Sequence, residues 1–274
     1  MSRLKVYYFS PTGGTQHVAQ HLGERLGALL NAKAEYHSYT LPHEREEKPA
    51  FGADDIVLWA TPVYAGRIPN KTLDYVRQAL HTQTHNKSLA LVTFGNRAYD
   101  NALAELVGLM EDGGMQPVGA AAMVTRHAFS DTLGAGRPDP GDLAALDRLA
   151  EQVAAKLAFP NPHPSAITVP GEAHPEKYYT PLKTNNAPAG FLKAKPSCDS
   201  TRCTRCGRCV NVCPMGSIAV AGGRPSFGGI CIKCQACRRS CPTGAIAFAD
   251  EEYLSHVAMI ERTFAEPKRP EFYV

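Results

Sequence analysis

The sequence predicts an α/β protein in which a doubly wound, five-stranded parallel sheet is followed by a small α+β domain. Strands and amphipathic helices alternate along residues 1–159, the pattern of a parallel sheet covered by helices on both faces. All nine cysteines lie between Cys198 and Cys241, which marks a second, chemically distinct part. Hydrophobic residues make up 44% of the 274 residues and charged residues 20%, which excludes a disordered or fibrous chain.

Each element of the sheet domain is predicted by a local pattern. A β-branched and aromatic run at residues 4–9 predicts the first strand, and Val18, Leu22 and Leu26 at helical spacing predict the helix after it. Trp59 falls inside a later strand and is expected in the core. The alternation continues with strands expected at residues 34–39, 55–60, 89–94 and 118–124 and helices at 70–80, 100–112 and 142–158.

Residues 160–196 contain eight prolines, which cannot sustain a helix or a central strand, so we interpret them as a linker. Its apolar side chains, among them Tyr178, Tyr179 and Phe191, are too many for a freely solvated tether. We therefore expect the linker to lie across the first domain. Residues 197–250 would form the second domain, and residues 251–274 a docking helix followed by a loose tail.

The cysteines form an internal repeat. The spacing C-x2-C-x2-C-x3-C-P occurs twice, which is the signature of bacterial ferredoxins with two [4Fe-4S] clusters. In this pattern three cysteines bind one cluster, and the fourth, before proline, binds the other. The predicted ligand sets are Cys203, Cys206, Cys209 and Cys241 for one cluster and Cys231, Cys234, Cys237 and Cys213 for the second.

Other interpretations of this segment are weaker. Zinc normally uses two CxxC pairs separated by a longer loop. Cys198 fits neither set and is interpreted as a spare cysteine. Eight basic residues against two acidic ones between Lys195 and Asp250 suggest a nucleic-acid patch. Each cluster with four thiolates carries a charge of about −2, however, so the basic residues largely compensate bound anions. Nucleic acid is therefore not an expected partner.

A second candidate site is the loop S-P-T-G-G-T at residues 10–15, between the first strand and the first helix. Backbone N–H groups and a helix N-terminus can hold a phosphate at this place in a doubly wound fold. The loop has neither the Gly-Lys-Ser/Thr of an ATP site nor the GxGxxG of a dinucleotide site. Pro11 removes one backbone donor.

This strand, loop and helix resemble the phosphate-binding motif of the flavodoxins, which bind FMN. The resemblance implies that Ser10, Thr12, Gly13, Gly14 and Thr15 hold the phosphate. It also implies that two loops at the carboxyl ends of strands surround the isoalloxazine ring. Those ring contacts would be Pro62, Val63, Tyr64, Ala65, Gly66, Thr93, Phe94, Gly95, Asn96, Arg97 and Tyr99, with Tyr64 and Tyr99 as candidates for stacking.

Taken whole, the chain resembles flavodoxin-ferredoxin fusion proteins, found largely in anaerobic bacteria and archaea, over residues 3–158 and 198–248. Flavodoxins are acidic around the flavin, whereas this chain has Arg67, Arg97, Arg126 and His127 in the corresponding loops. Facing the ring, these groups would stabilise a reduced flavin or bind an acidic partner; otherwise they are solvated loop charges. His127 is a tentative proton donor.

The expected function is electron transfer, because FMN exchanges one or two electrons and a [4Fe-4S] cluster passes one. The external partner would be a redox protein or a small-molecule electron donor or acceptor. The alternative is an FMN-dependent reductase of a small, possibly acidic substrate, fed by the clusters. A redox sensor is a third hypothesis with no sequence element of its own. The chain shows neither a signal peptide nor an apolar run long enough for a membrane span, so we expect a cytoplasmic protein without membrane contact. Its oligomeric state is not predicted.

Overall fold

The computed structural model describes residues 3–158 and 166–274. Five parallel strands stand in the order β2-β1-β3-β4-β5, the doubly wound order of the flavodoxins, so the predicted fold class is confirmed. In such sheets ligands bind outside the carboxyl ends of the strands where the strand order reverses, here beside β1 and β3. The strands are β1 (Arg3–Tyr8), β2 (Lys33–Ser38), β3 (Ile56–Pro62), β4 (Lys87–Phe94) and β5 (Gln116–Val124).

Helices cover both faces of this sheet. On one face Leu22, Leu26 and Val153 form a buried core with the strands, and on the other Trp59 and Leu103 do so. Trp59 is fully buried and stacks on Tyr7, with ring centroids 4.9 Å apart, as expected for a core residue. The first face is covered by α1 (Gly14–Leu30) and α4 (Pro140–Ala158), the second by α2 (Leu73–Ala79) and α3 (Ala102–Asp112).

Part of the predicted linker, residues 160–165, lies outside the described residues. The rest runs over the first domain, where the Tyr179 N–H donates to the Ala65 carbonyl at 2.8 Å. The Tyr178 hydroxyl donates to the Ile68 carbonyl at 3.0 Å. Because these are backbone acceptors in the loop after β3, the linker is fixed to that loop by hydrogen bonds as well as by apolar contact.

The cysteine-rich part is built from short elements. Antiparallel strands β6 and β9 pair at its base, β7 and β8 form a hairpin, and Cys209, Cys237, Ile218 and Ile246 share a small buried core. The elements are β6 (Ser197–Cys198), α5 (Arg208–Asn211), β7 (Ala219–Ala221), β8 (Arg224–Ser226), α6 (Ala236–Ser240) and β9 (Ile246–Ala247).

The C-terminal segment contains a helix, α7 (Glu251–Thr263), as expected, capped by Asp250, whose carboxylate accepts from the Tyr253 N–H at 2.8 Å. The expectation of a loose tail is wrong. Strand β10 (Glu271–Tyr273) pairs antiparallel with β5 as the sixth strand of the sheet. Its aromatic side chains explain this, because successive strand residues face opposite sides and Phe272 and Tyr273 pack into the cores on the two faces. No helix among the described residues is long and apolar enough to cross a membrane.

Candidate iron–sulfur and flavin sites

The eight repeat cysteines surround two separate cavities. One cavity, called the proximal site below, is lined by Cys213, Cys231, Cys234 and Cys237. The other, the distal site, is lined by Cys203, Cys206, Cys209 and Cys241. Each cavity thus takes three cysteines from one repeat and the fourth from the other, the grouping that the spacing predicts. In the described part of the chain no group of three or more His, Cys, Asp or Glu side chains is arranged to hold a single metal ion.

The two repeats present their fourth cysteines in the same way. The Ser217 N–H donates to the Cys213 sulfur at 3.4 Å, and the Ala245 N–H donates to the Cys241 sulfur at 3.2 Å. These donors lie four residues after their cysteines and favour the thiolate over the thiol. The repeats also share a residue in the left-handed backbone conformation two positions before the third cysteine, Gly207 with φ 74° and Gln235 with φ 66°. This residue immediately precedes the short helix of each repeat, α5 or α6.

The two sites differ in their exposure. Cys206 at the distal site is exposed, and its pKa is lowered by the Arg208 N–H first and by other hydrogen bonds and the Arg208 charge after it. At the proximal site Cys234 and Cys237 are buried, and burial raises the pKa of the Cys237 thiol to about 12. The most exposed of the eight cysteines thus belongs to the distal site, and each site also contains at least one buried cysteine.

Cys198 also lines the distal cavity, which the sequence did not predict for a cysteine outside the motif. It lies in β6, whose partner strand β9 brings it beside the motif cysteines. Burial and a hydrogen bond with Cys203 raise its pKa to about 11, which favours the protonated thiol. A fifth thiol therefore stands next to a set of four.

The proximal site is the one that faces the sheet domain. Ile232 packs against the core on the α3 side of the sheet, and Cys231 contacts the apolar cluster that contains Phe129. Burial, and then the neighbouring Cys234 and Cys231, raise the pKa of Tyr64 well above its usual value. Tyr64 therefore brings the loop after β3 close to the proximal cysteines.

Polar contacts hold the two parts in this arrangement. Asp131, in the loop after β5, accepts from Arg238 at 2.7 Å and from Arg239 at 3.2 Å. The hydrogen bond and charge of Arg238, followed by Arg126 and Arg239, lower the pKa of Asp131 to about 2. On the other side of the junction Arg45 donates to the Pro214 carbonyl at 2.5 Å. Sequence analysis missed this junction, although Arg238 and Arg239 replace Val210 and Asn211 of the first repeat.

The predicted phosphate loop has the geometry of an anion site at its exposed end. Helix α1 begins after Gly13, which has φ 88°, open space where a side chain would be and no side chain of its own to cap the helix. Thr12 and Gly13 are exposed, so N–H groups of the first turn face solvent. Ser10 accepts from the Gln16 N–H at 2.9 Å, and Thr15 is buried and bonded to the Thr93 hydroxyl at 2.7 Å.

The predicted ring loop after β3 is a tight turn. Tyr64 and Arg67 exchange backbone hydrogen bonds around Ala65 and Gly66, which have φ 48° and 79°. Pro62, Val63 and Tyr64 are half-buried and Ala65 is exposed. A side chain at Gly66 would clash with Asp100, so glycine is required there.

The predicted ring loop after β4 is engaged by the C-terminal segment. The Asn96 amide donates to the carbonyls of Phe264 at 2.7 Å and Glu266 at 3.0 Å and accepts from the Lys268 N–H at 2.8 Å. The Tyr99 ring packs on Phe94 in the core, with centroids 5.5 Å apart. Its hydroxyl donates to Glu271 at 2.6 Å. The prediction that Tyr99 stacks on the ring is therefore wrong, because the side chain anchors β10.

The cationic side chains of the loops are also committed elsewhere. Arg67 forms a buried ion pair with Glu105 and lies 4.5 Å from the Tyr178 ring. Arg97 pairs with Asp100 and lies 4.0 Å from the Tyr179 ring. Arg126 pairs with Asp131. Each cation thus has a partner within this chain; Arg67 is buried, whereas Arg126 and its partner Asp131 are exposed to solvent.

His127 does not have the properties of a proton donor at neutral pH. Removal of its imidazole from water, followed by the charges of His256, Arg97 and Arg239, lowers its pKa to about 3. Its Nδ1 accepts from the Phe129 N–H at 3.1 Å, so the neutral ring carries its proton on Nε2. The loop before it is packed against the ring, because a side chain at Gly95 would lie 2.5 Å from His127.

Comparisons with known proteins give one match to a family model and several to solved structures. Residues 202–246 match a protein-family model described as a 4Fe-4S dicluster domain. A search of the curated proteins finds no match. Among solved structures, a flavodoxin from the domain Archaea is 15% identical, covering 58% of this chain and 100% of its own with a TM-score of 0.40. The flavodoxin of Streptococcus pneumonia TIGR4 is 18% identical over 57% and 99% of the two chains, with a TM-score of 0.41. An NADH:FMN oxidoreductase is 16% identical over 64% and 96%, with a TM-score of 0.43.

The strand order and the dicluster match together define the class of protein. The chain joins a flavodoxin-like domain to a 4Fe-4S dicluster segment. The dicluster match supports electron transfer as the general function.

Proposed function

We propose that the chain is an iron–sulfur flavoprotein that passes electrons between FMN, two [4Fe-4S] clusters and an external redox partner. The observation that carries the proposal is the grouping of eight cysteines into two crossed sets of four around two cavities. When bound, FMN supplies exchange of one or two electrons, and each cluster exchanges one.

The fit of FMN is supported at its phosphate end by the uncapped start of α1 and the exposed residues Thr12 and Gly13. The hydroxyl of Ser10 and the first-turn N–H groups would bind the phosphate without a cationic side chain. At the ring end the proposal retains the loop at residues 62–66, with Tyr64 as the stacking candidate. Of the loop at 93–99, it retains backbone contacts only, since Asn96 and Tyr99 hold the C-terminal segment.

The order of the centres follows from what the residues contact. Tyr64 adjoins Cys231 and Cys234, so the proximal site is the one next to the proposed flavin loop. The shared core of Cys209 and Cys237 connects the proximal and distal sites. Exposed Cys206 then brings the distal site to the surface. The chain would thus hold three sites in sequence, with the exposed Cys206 at the last one.

The alternative of an FMN-dependent reductase of a small acidic substrate receives less support. It needs free cationic or acidic groups above the ring, whereas Arg97 and Arg126 are paired and His127 is neutral. A carrier needs only that the sites be close and shielded. We therefore favour electron transfer without chemistry on a bound substrate.

The test is anaerobic purification followed by flavin and iron determination and a stepwise reductive titration, with absorbance and electron paramagnetic resonance recorded together. The proposal expects one FMN and two [4Fe-4S] clusters per chain, all reducible by the same reductant. Iron equivalent to one cluster, or clusters without flavin, would contradict it. Turnover of a small acidic substrate at rates far above those of carrier reduction would favour the reductase.

A further inference from the structure

The distal site is surrounded by arginines at the surface. Arg205, Arg208 and Arg224 line its cavity together with the exposed Cys206. A fourth arginine, Arg202, is exposed beside them and donates to the Thr243 carbonyl at 2.5 Å. Cys206, the one exposed cysteine of the eight, is thus surrounded by cations.

These cations differ from those of the proximal site in having no carboxylate partner. Across residues 3–158 and 166–274, Arg205, Arg208 and Arg224 form no ion pair, and the Nε of Arg224 is buried without a hydrogen-bond partner. At the proximal site Arg238 and Arg239 are both paired with the Asp131 carboxylate, which they share with Arg126. If these arginines only balanced the negative charge of the clusters, both sites would need them equally. That role does not explain why only the proximal arginines are paired with a carboxylate.

A charge count leaves the distal face positive. A [4Fe-4S] cluster with four thiolates carries about −2, which three arginines around the cavity exceed. Asp199 is the nearby carboxylate; it accepts from Thr201, and Arg202 helps to lower its pKa. The rim therefore retains excess positive charge. It also carries an apolar contact, since Val220 of the β7–β8 hairpin lines the cavity and is 62% exposed.

We propose that this arginine face, formed by Arg202, Arg205, Arg208 and Arg224 around Cys206, docks an acidic one-electron carrier protein. The inference rests on the proposed function and names the class of its external partner. A positive rim with an apolar contact at its edge and a one-electron centre beneath it suits a negatively charged redox protein. Such charges steer encounter and accelerate association at low salt. A cluster held by Cys203, Cys206, Cys209 and Cys241 would exchange one electron with the partner's centre, one being oxidised as the other is reduced.

The experiment uses the purified, cluster-loaded protein and a strongly acidic [2Fe-2S] ferredoxin, reduced beforehand, as the probe. Stopped-flow mixing measures the second-order rate of electron transfer at increasing ionic strength. The probe should react faster at low salt, and R205Q/R208Q should slow it by about 3- to 10-fold there, converging with the unaltered protein at high salt. The matched control is K71Q/R77Q, which removes two exposed positive charges from the sheet domain and should leave the rate unchanged.

Several outcomes separate this inference from the proposed function. Iron content and photoreduction by a neutral deazaflavin should be equal in all variants, which shows that the clusters are intact. Clusters present in R205Q/R208Q with an unaltered ferredoxin rate would overturn the docking proposal alone. Lack of clusters in the unaltered protein would overturn the proposed function. A basic cytochrome c that reacts faster at low salt, or a single-stranded oligonucleotide bound through these arginines with no salt effect on ferredoxin, would also overturn the acidic partner.

Discussion

Arg239 of α6 lies 3.2 Å from Asp131 in the loop after β5, measured from Nη1 to Oδ1. Its other terminal nitrogen donates to the carbonyl oxygens of His127, Ala128 and Ser130 at 3.1, 2.9 and 2.8 Å. One guanidinium of the cysteine-rich part therefore binds four acceptors of the sheet domain. Its planar fork of donors suits this set, whereas the compact ammonium of lysine does not.

The first prediction is that R239K and R239Q weaken the junction between the two parts. Loss of a half-buried guanidinium that satisfies three carbonyls should cost about 1–3 kcal/mol in the free energy of unfolding. Anaerobic thermal unfolding monitored through the cluster absorbance measures it. D131N should cost less, about 1 kcal/mol or below, because the Asp131 side chain is 56% exposed. R77Q, in an exposed pair with Asp74, is the control, and an R239K midpoint equal to the unaltered protein would contradict the prediction.

The second prediction concerns the two cysteine sets. C234S should remove the signal of the proximal cluster, and C206S that of the distal one, because each replaces one of four thiolates around its own cavity. Iron determination and electron paramagnetic resonance check both. C234S should also interrupt reduction of the distal cluster from the flavin, whereas C206S should leave the proximal cluster reducible. Variants with unchanged iron and spectra would show that the cysteines are not ligands.

The third prediction is that C198S retains both clusters. Cys198 shares the distal cavity, and burial and a hydrogen bond with Cys203 raise its pKa, so its loss should shift the reduction potential of the distal cluster without loss of iron. Potentiometric titration of C198S beside C203S makes the comparison, since only C203S should lose the cluster. Loss of iron in C198S would make Cys198 a ligand. An unchanged potential would mean that its hydrogen bond does not influence the cluster.

The sequence could predict whatever depends on a short, repeating pattern. Alternating strands and helices predicted the sheet, and a fixed cysteine spacing predicted two crossed sets whose members the structure gathers around two cavities. Such patterns are local, and their geometry is the same in every chain that carries them. Trp59 is another example, because its position inside an apolar strand already implied burial.

The features that the sequence could not predict depend on contacts between distant segments. Tyr99 resembled a flavin-stacking residue because its loop position is right, but Glu271 and Tyr273 compete for its side chain. The strand β10 that supplies them is three residues long, too short for periodicity to reveal. Likewise, nothing in the neighbourhood of Arg97 indicates that Tyr179 of the linker would cover it.

The fourth prediction tests the hold of the C-terminal segment on the loop after β4. Asn96 makes three hydrogen bonds to it and adopts φ 63°, a left-handed conformation. N96A loses the bonds and replaces asparagine, which tolerates the left-handed conformation, by alanine, which tolerates it less well, for a cost of about 3–4 kcal/mol. N96G loses the bonds alone and should cost about 1 kcal/mol less. Thermal unfolding ranks the two, and equal midpoints would show that the backbone there is not strained.

The fifth prediction is a pH dependence of stability that originates in His127. Its pKa is lowered from 6.5 to about 3 on folding, so between those values the unfolded chain binds the additional proton. The stability contributed by the neutral imidazole is therefore complete above about pH 6.5 and is lost as the pH falls. Between pH 7.5 and 5.5 the loss should be about 1 kcal/mol. H127N keeps an acceptor for the Phe129 N–H, so the part of the acid destabilisation due to His127 should disappear in thermal unfolding of this variant. An identical pH dependence in H127N would assign the effect to other groups, of which His256, also lowered in pKa by burial, is the nearest.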